Sequence, residues 1–226
     1  MNDSAFLKDA CYCISEALER LHGGNAGAQG SSPLNQLVCY GLGNFSSCII
    51  ARYQLALLLC LREHWQIPPG KIWVYDPLFS LDEKDVLEDA KLSVVEYNEE
   101  GCRQVTSLCI FYMPHCGKAL YNNLLWANWS LAQLQHLVII GNSFSAMRER
   151  LPEKEFLQEY YYIAKILPFC TEAPLPNTFE HKDIFNDTAV HIFTTEKLRD
   201  APADIWKWRD KPVYSHETEF IRAEVA

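Results

Sequence analysis

The sequence predicts an α/β fold of the Rossmann-like type, a three-layer sandwich with a mostly parallel sheet and an antiparallel hairpin at one edge. Short runs that are apolar on both faces alternate with stretches of helical spacing, as expected when helices cover both faces of a parallel sheet. The 226 residues, 49% of them hydrophobic, suffice for one such domain. The last two strand candidates lack a clear helix between them, which favours a hairpin.

The chain divides into four predicted parts. Apolar residues recur with helical spacing from position 4 onward, so residues 1–22 are assigned to an N-terminal helix. Residues 23–35 are rich in glycine and serine and are assigned to a flexible linker. The Rossmann-like domain covers residues 36–200. Residues 201–226 are polar with scattered aromatic side chains and are assigned to a C-terminal extension.

Within the main domain, strands and helices alternate. The first five predicted strands are QLVCYGLG, KIWVYDP, LSVVEYN, SLCIFYMP and HLVIIGNS. The predicted helices are Ser46–His64, Leu81–Ala90, Gly117–Trp129 and Phe144–Leu151. Two late strand candidates, EYYYIAKILPF and TAVHIFTTEKL, follow with a proline-rich loop between them. Five βα units followed by a hairpin are the layout of Rossmann-like methyltransferases, a likeness of fold alone.

Composition excludes several classes of function. The formal net charge is −9 and the pI is near 5.3, which argues against broad electrostatic binding to DNA or RNA. The N-terminus has no apolar signal region, and the longest apolar run, Leu55–Leu61, is far shorter than the roughly 20 residues that span a bilayer. We therefore predict no membrane association. Nine scattered cysteines fit a reducing compartment, and Cys11-Tyr12-Cys13 is a weak zinc signal, so no metal site is predicted.

Ligands bind folds of this kind at the carboxyl ends of the strands, so polar residues and glycines there are the candidates. After the first predicted strand come Gly41, Gly43 and Asn44. Glycines allow a tight turn into a helix N-terminus, which Ser46 or Ser47 can cap. The third glycine of the dinucleotide signature is missing. The loop is therefore either a ligand cradle or a structural turn.

The second and third strand ends offer Asp76 and Asn98. A carboxylate at the end of the second strand is where nucleotide-binding folds hold a ribose hydroxyl, although Asp76-Pro77 is also a good turn start. Asn98 lies before Glu99, Glu100 and Gly101, a sequence that forms a turn or contacts a ligand. For both positions, the sequence leaves a ligand contact and a structural turn as alternatives.

The fourth strand end carries Tyr112, Met113, His115 and Cys116. Side chains alternate along an extended chain, so His115 and Cys116 are expected to point to opposite sides and not to form a nucleophile–base pair. His115 can act as a general base, ligate a metal or haem iron, or contact a small molecule. A nearby helix N-terminus is expected to lower the pKa of Cys116. The alternative is that His115 makes only structural hydrogen bonds and that Cys116 is a buried packing residue.

The fifth strand end offers Asn142 and Ser143, which can cap a helix or hydrogen-bond a ligand. Five strand ends that carry glycines or polar residues together predict a common cleft at one edge of the sheet.

Several stretches together resemble a known family. They are YGLG, QLALLL, VYDPLF, the Asn98–Gly101 turn, FYMPHC, LYNNLL followed by NW, and GNSF. The chain is similar over Gln36–Phe144 to the Sensitivity to Red Light Reduced family, which contains animal members with an SRR-like domain. A more polar Ser107-Leu108-Cys109 departs from the family pattern. The motif positions that the resemblance carries over are Gly41, Gly43, Asp76, Asn98, Gly101, His115, Cys116, Asn123, Asn142 and Ser143.

The resemblance implies a regulatory protein of the cytoplasm, with the nucleus as a second compartment, and no established enzymatic activity. It links plant members to circadian-clock and light-signalling output, and animal members to clock-gene expression and haem biosynthesis. The leading hypothesis is therefore a regulator that binds a small-molecule ligand or an unknown protein partner without turnover.

Other functions stay open at this point. A methyltransferase-like enzyme that uses S-adenosylmethionine is the alternative, supported by the layout and by Asp76. Against it, Val38-Cys39-Tyr40 stands where an acidic residue normally precedes the glycines. Haem is the second cofactor candidate, through His115 or a cysteine, although no cysteine precedes a proline. A cysteine-dependent hydrolase is disfavoured because the neighbouring His115 is expected to point away from Cys116, and no other histidine is obviously placed to act as its base.

Overall fold

The computed structural model describes residues 4–21 and 36–214. Within these residues seven strands form one mixed sheet, in the spatial order β3-β2-β1-β4-β5-β7-β6. The strands are β1 (Leu37–Tyr40), β2 (Ile72–Tyr75), β3 (Ser93–Val94), β4 (Cys109–Met113), β5 (Leu137–Asn142), β6 (Thr171–Pro174) and β7 (Thr188–Ile192). Strands β1 to β5 pair in parallel, and β7 pairs antiparallel with both β5 and β6. The predicted parallel sheet with an antiparallel edge hairpin is confirmed.

Helices cover both faces of this sheet. They are α1 (Ala5–Leu21), α2 (Ile49–His64), α3 (Leu81–Asp89), α4 (Lys118–Ala127), α5 (Leu131–Leu134), α6 (Phe144–Glu149), α7 (Glu153–Glu159), α8 (Tyr161–Ile166) and α9 (Thr195–Arg199). Single turns of 3₁₀ helix follow at Leu167–Phe169 and Ile205–Lys207. The predicted helices correspond to α1, α2, α3, α4 and α6.

One predicted strand is wrong. The stretch EYYYIAKILPF contains α8, which buries Tyr162, Ile163 and Ile166 along one helical face. Its aromatic and β-branched composition favours strands, but the tertiary contacts of that face determine the outcome. The true strand β6 follows at Thr171–Pro174, and it is polar and partly exposed because it lies at the edge of the sheet.

Because side chains alternate along each strand, the hydrophobic core lies in two layers, one on each face of the sheet. Leu37 and Cys39 of β1 face one layer, whereas Val38 and Tyr40 face the other. The first layer contains α1, α2, α3 and the loop between β6 and β7. The second contains α4 to α9 and residue Ile205. This is the three-layer sandwich that the sequence predicts.

Helix α1 is part of the first layer. Its buried positions Phe6, Ala10, Ile14 and Ala17 recur every three or four residues. Phe6 stacks on Phe185 with ring centroids 4.6 Å apart, and lies 5.3 Å from the ring of Phe179. Both partners belong to the loop between β6 and β7, so α1 supports that loop.

The described part of the C-terminal extension lies on the second layer. Trp129 Nε1 donates to the carbonyl of Ile205 (2.8 Å), and Trp126 Nε1 donates to the carbonyl of Arg209 (2.9 Å). The predicted linker lies outside the described residues, and the four domain boundaries remain predictions. In the described ranges, no helix combines the length and apolar character required to cross a membrane.

Replacing Phe6 by alanine tests whether α1 is integral to the core. Phe6→Ala removes a fully buried ring and leaves a cavity, so it is expected to lower the free energy of unfolding by about 3–5 kcal/mol. Tyr12→Ala, on the exposed side of the same helix, is the matched control and is expected to change it by less than about 0.5 kcal/mol. Urea denaturation measures both. Equal small losses would show that α1 contributes little to the core.

Candidate functional site

A pocket of about 230 Å³ opens at the carboxyl ends of β1, β2 and β4. Since the chain leaves β1 toward β2 and later returns to β4 on its other side, this is the topological switch point of the sheet, where such folds bind ligands. Six of the predicted site residues line the pocket: Gly41, Gly43, Asp76, Asn98, His115 and Cys116. The remaining lining residues are Tyr40, Tyr75, Pro77, Leu78, Gly101, Gly117 and Leu120.

The glycine loop after β1 is shaped by close packing. Gly41 has φ +69°, and a Cβ added there would lie 2.5 Å from Cys116 Sγ. Gly43 also has a positive φ, +80°, but its added Cβ would meet only ordinary contact with Ala51. Only glycine adopts both conformations without strain, and only glycine lets the loop approach Cys116 so closely.

Asp76 joins two of the loops around the pocket. Its Oδ2 accepts a hydrogen bond from Gly43 N (2.7 Å), and its Oδ1 accepts one from Leu78 N (2.8 Å). Burial raises the pKa of this carboxyl, and the two backbone donors offset only part of the rise. A carboxylate offers about four acceptor positions, so Asp76 retains capacity to accept from ligand hydroxyls.

The turn after β4 differs from the expectation. His115 has φ +55°, so the chain is not extended there. The imidazole and the thiol still have separate partners: His115 Nε2 lies 3.0 Å from the carbonyl oxygen of Ile184, and Cys116 Sγ donates to the carbonyl of Tyr40 (3.2 Å). Neither contact pairs the two side chains with each other.

The predicted pKa shift of Cys116 is wrong in sign. Complete burial raises the pKa of the thiol far above its ordinary value, and the nearby Asp76 carboxylate adds to the rise. Helix α4 starts only at Lys118, and desolvation outweighs any effect of its N-terminus. Cys116 is therefore a packed side chain of the pocket wall and a poor nucleophile.

Three further candidates lie beside the pocket without lining it. Tyr112 and Met113 are fully buried in the two opposite layers. Asn44 Oδ1 accepts from Ser47 N (2.9 Å) and organises the glycine loop. The N-cap of α2 is Cys48, without a side-chain cap, so the expected capping by Ser46 or Ser47 is wrong.

Asn142 and Ser143 also lie outside the pocket. Asn142 Nδ2 donates to the carbonyl of Cys116 (3.0 Å) and so supports the turn after β4 from behind. Ser143 is the N-cap of α6 and accepts from Ala146 N (3.0 Å). Of the two roles left open by the sequence, Ser143 performs capping, and Asn142 holds a neighbouring strand end.

A comparison with models of known protein families shows which family the chain belongs to. The family model of the SRR1 domain matches residues 14–192. The chain belongs to the SRR1 domain family. The resemblance inferred from the strand-end motifs is thereby confirmed, and the pocket is a feature of an SRR1 domain.

Curated relatives come from animals and plants. The chain is 48% identical over 161 residues to an SRR1-like protein of Mus musculus, covering 68% of this chain and 65% of that protein. It is 31% identical to an SRR1-like protein of Drosophila melanogaster, over 84% of this chain and 66% of that protein. The protein SENSITIVITY TO RED LIGHT REDUCED 1 of Arabidopsis thaliana is 35% identical, over 54% and 44%. The chain thus spans about two thirds or less of these relatives.

Sequence reasoning missed a polar network on the pocket wall of the SRR1 domain. Tyr40 Oη donates to Glu99, and Arg103 binds both carboxylate oxygens of Glu99 at 2.9 and 3.0 Å. The Arg103 guanidinium lies 5.2 Å from the ring centroid of Trp73. Burial, followed by the hydrogen bond to Glu99, raises the pKa of Tyr40. The network fixes the side chain of Tyr40, which lines the pocket.

It also missed a polar cluster around the buried His191, between β5, β6 and β7. His191 is fully buried, with Nδ1 3.1 Å from the Ile139 carbonyl oxygen and Nε2 3.2 Å from Glu172 Oε2. Ser143 Oγ donates to Glu172 Oε1 (2.7 Å). Burial pushes the pKa of Glu172 up, but its hydrogen bond to His191 and the other donors outweigh this and hold it at about 2. None of the three side chains lines the pocket, and their hydrogen bonds join β5 and the residue after it to the edge hairpin of β6 and β7.

The two cofactor candidates fit the domain differently. Across residues 4–21 and 36–214, no group of three or more His, Cys, Asp or Glu side chains could hold a metal ion. The pocket is small beside the roughly 300–1,000 Å³ of usual ligand sites, which suits a nucleoside better than a haem macrocycle. His115 Nε2 is engaged by the carbonyl of Ile184, which leaves Nδ1 as the ring nitrogen able to ligate iron, and the Asp76 carboxylate lies on the pocket wall.

The two glycines give a matched test of the loop. Gly43→Ala is expected to cost about 1–2 kcal/mol of unfolding free energy, the strain of a left-handed residue. Gly41→Ala adds the clash with Cys116 and is expected to cost about 2–4 kcal/mol. Chemical denaturation of both variants measures the difference. If Gly41→Ala also carries Cys116→Ala, part of the excess loss should disappear, and equal losses in the two single variants would contradict the packing described.

Glu172 predicts a pH dependence of stability. Its folded-state pKa of about 2 lies below the ordinary 4.5, so the ionised form stabilises the fold above pH 4.5 and this stabilisation is lost as pH falls toward 2. Glu172→Gln should therefore be less stable than the wild type by about 1–3 kcal/mol at pH 7, and the gap should shrink at pH 3. Denaturation at both pH values measures this. Glu155→Gln, exposed on α7, should show no such gap, and a constant gap for Glu172→Gln would refute the assignment.

Proposed function

We propose that this chain is a regulatory protein whose SRR1 domain binds a nucleoside-bearing small molecule of the S-adenosylmethionine class in the strand-end pocket. The observation that carries the proposal is the buried Asp76 carboxylate at the end of β2, on the wall of a pocket at the switch point of the sheet. In folds of this class a carboxylate at that position hydrogen-bonds ribose hydroxyls.

The arrangement of the pocket supports a nucleoside. Asn98 follows β3, Asp76 follows β2, the glycine loop follows β1 and His115 follows β4, so the strand order places them in a row. A ribose held at Asp76 would lie in the middle of this row. The apolar side chains of Tyr75 and Leu78 flank Asp76 and offer surface for a flat ring.

The regulatory part of the proposal rests on the family. The name of the plant relative describes a reduced sensitivity to red light, which supports a role in signal response. We extend this to the processes that the resemblance implies, clock-gene expression and the regulation of haem biosynthesis, in the cytoplasm and the nucleus. All nine cysteines lie in the described ranges as free thiols, which fits a reducing compartment.

A methyltransferase is the second candidate, and the sheet layout favours it. The same pocket would hold the methyl donor, and an acceptor would enter beside His115 at the end of β4. Against it stands the first strand, which ends in Tyr40 in place of a carboxylate. Binding of the cofactor as a signal requires only the pocket, and this is the function the geometry supports best.

Binding measurements on Asp76 test the proposal. S-adenosylmethionine and S-adenosylhomocysteine are expected to raise the thermal midpoint of the purified chain and to bind in calorimetry. Asp76→Asn keeps the shape of the side chain but replaces one carboxylate oxygen by an NH2 group, so it removes the charge and one of the two acceptors for Gly43 N and Leu78 N. It is expected to weaken binding about 10- to 100-fold, the worth of hydrogen bonds to a charged group.

The control and the panel decide between ligands. Asp85→Asn, on the exposed side of α3, is the matched variant and should leave binding unchanged. NAD(P), other nucleotides and haemin complete the panel. A shift with haemin alone, or equal binding by Asp76→Asn and the wild type, would refute the nucleoside assignment.

A further inference from the structure

We propose that His115 is the group that reads the 5′ substituent of the ligand, and that it selects a substituent carrying an N–H or O–H donor. This inference rests on the proposed nucleoside site and deepens it by naming the ligand class. It follows from the tautomer of His115, from the way its position is fixed and from its place in the row of strand ends.

The tautomer follows from the partner of the ring. His115 Nε2 lies 3.0 Å from the carbonyl oxygen of Ile184, and a carbonyl oxygen only accepts. Nε2 therefore carries the hydrogen, and in the neutral ring Nδ1 is an acceptor. Nδ1 makes no hydrogen bond within residues 4–21 and 36–214, although the side chain lines the pocket. The imidazole thus offers an acceptor to a ligand.

The position of His115 is held from two sides. Its backbone is in the left-handed region, which costs a non-glycine residue about 1–2 kcal/mol and persists only when the surroundings enforce it. Asn142 holds the turn through the Cys116 carbonyl. Ile184 is buried in the loop that Phe6 of α1 packs against through Phe185. Strained residues held in this way are frequent at ligand sites.

The row of strand ends assigns the contact. If the ribose lies at Asp76 with its base toward Asn98 on the β3 side, the 5′ substituent crosses the glycine loop toward His115 on the β4 side, because the strand order places the glycine loop between them. Asp76 and His115 both present acceptors, so the pocket favours a ligand with donors at both points. An adenosine with an amino group on its 5′ chain has this pattern, with ribose hydroxyls at Asp76 and the amine at His115.

Three adenosine ligands isolate the contribution of the amine. They are S-adenosylhomocysteine, its decarboxylated analogue with a 3-aminopropylthio chain, and 5′-propylthio-5′-deoxyadenosine, which has the same three-carbon chain without the amine. Calorimetry on the full chain should show that the two amine-bearing ligands bind at least about tenfold more tightly than the propylthio ligand, as expected for a hydrogen bond to a charged donor.

Two variants separate the ring nitrogens. His115→Gln places an amide near the Nε2 position and keeps a donor for Ile184 without an acceptor at Nδ1. It should bind all three ligands within about twofold of one another. His115→Asn places its amide oxygen near Nδ1, and asparagine tolerates the left-handed backbone well, so it should retain the preference for the amine.

Each outcome decides one of the two proposals. Equal binding of the three ligands by the wild type, with Asp76→Asn still weakening all of them, would refute the role of His115 and leave the nucleoside site intact. Retention of the preference in His115→Gln would also refute it. Failure of every adenosine ligand to bind the wild type would refute the nucleoside site and the His115 assignment together.

Discussion

The candidate site of this SRR1 domain depends on one buried carboxylate. Asp76 accepts hydrogen bonds from backbone N–H groups of the loops after β1 and β2, and so joins the ends of these two neighbouring strands. Burying a charge without such donors would be costly. The same group draws Gly43 to the pocket wall, and the neighbouring Gly41 packs against Cys116, which follows β4. Without the carboxylate, the loops after β1 and β2 would lose the hydrogen bonds that join them.

Helix α1 also supports the candidate site. Phe6 packs on Phe185, the adjacent Ile184 offers its carbonyl to His115, and His115 lines the pocket. A segment far from the pocket in sequence therefore supports a pocket residue through the loop between β6 and β7. The proposed ligand contact and the docking of α1 are linked because both use this loop.

Local patterns predicted the fold well and the site only in part. Strands β1, β4 and β5 are apolar on both faces, so the sequence alone identifies them, whereas β6 is a polar edge strand without that signal. His115 was found because it follows β4, and Asp76 because it ends the apolar run of β2, although every second residue of β2 is only half-buried. The pairing of Glu172 with His191 was missed, since it joins strands that meet only in the folded sheet. The sign of the Cys116 pKa shift was missed for a similar reason: the thiol packs against the end of β1 at Tyr40, 76 residues earlier in the chain.

The strand-end pocket is proposed to hold an adenosine ligand by its ribose. A crystal structure of the chain grown with S-adenosylhomocysteine would show the bound ligand itself. Ribose hydroxyls are expected within hydrogen-bonding distance of the Asp76 carboxylate, with the 5′ chain directed toward His115. Ligand density at any other place, or a ribose turned away from Asp76 in an occupied pocket, would contradict this proposal.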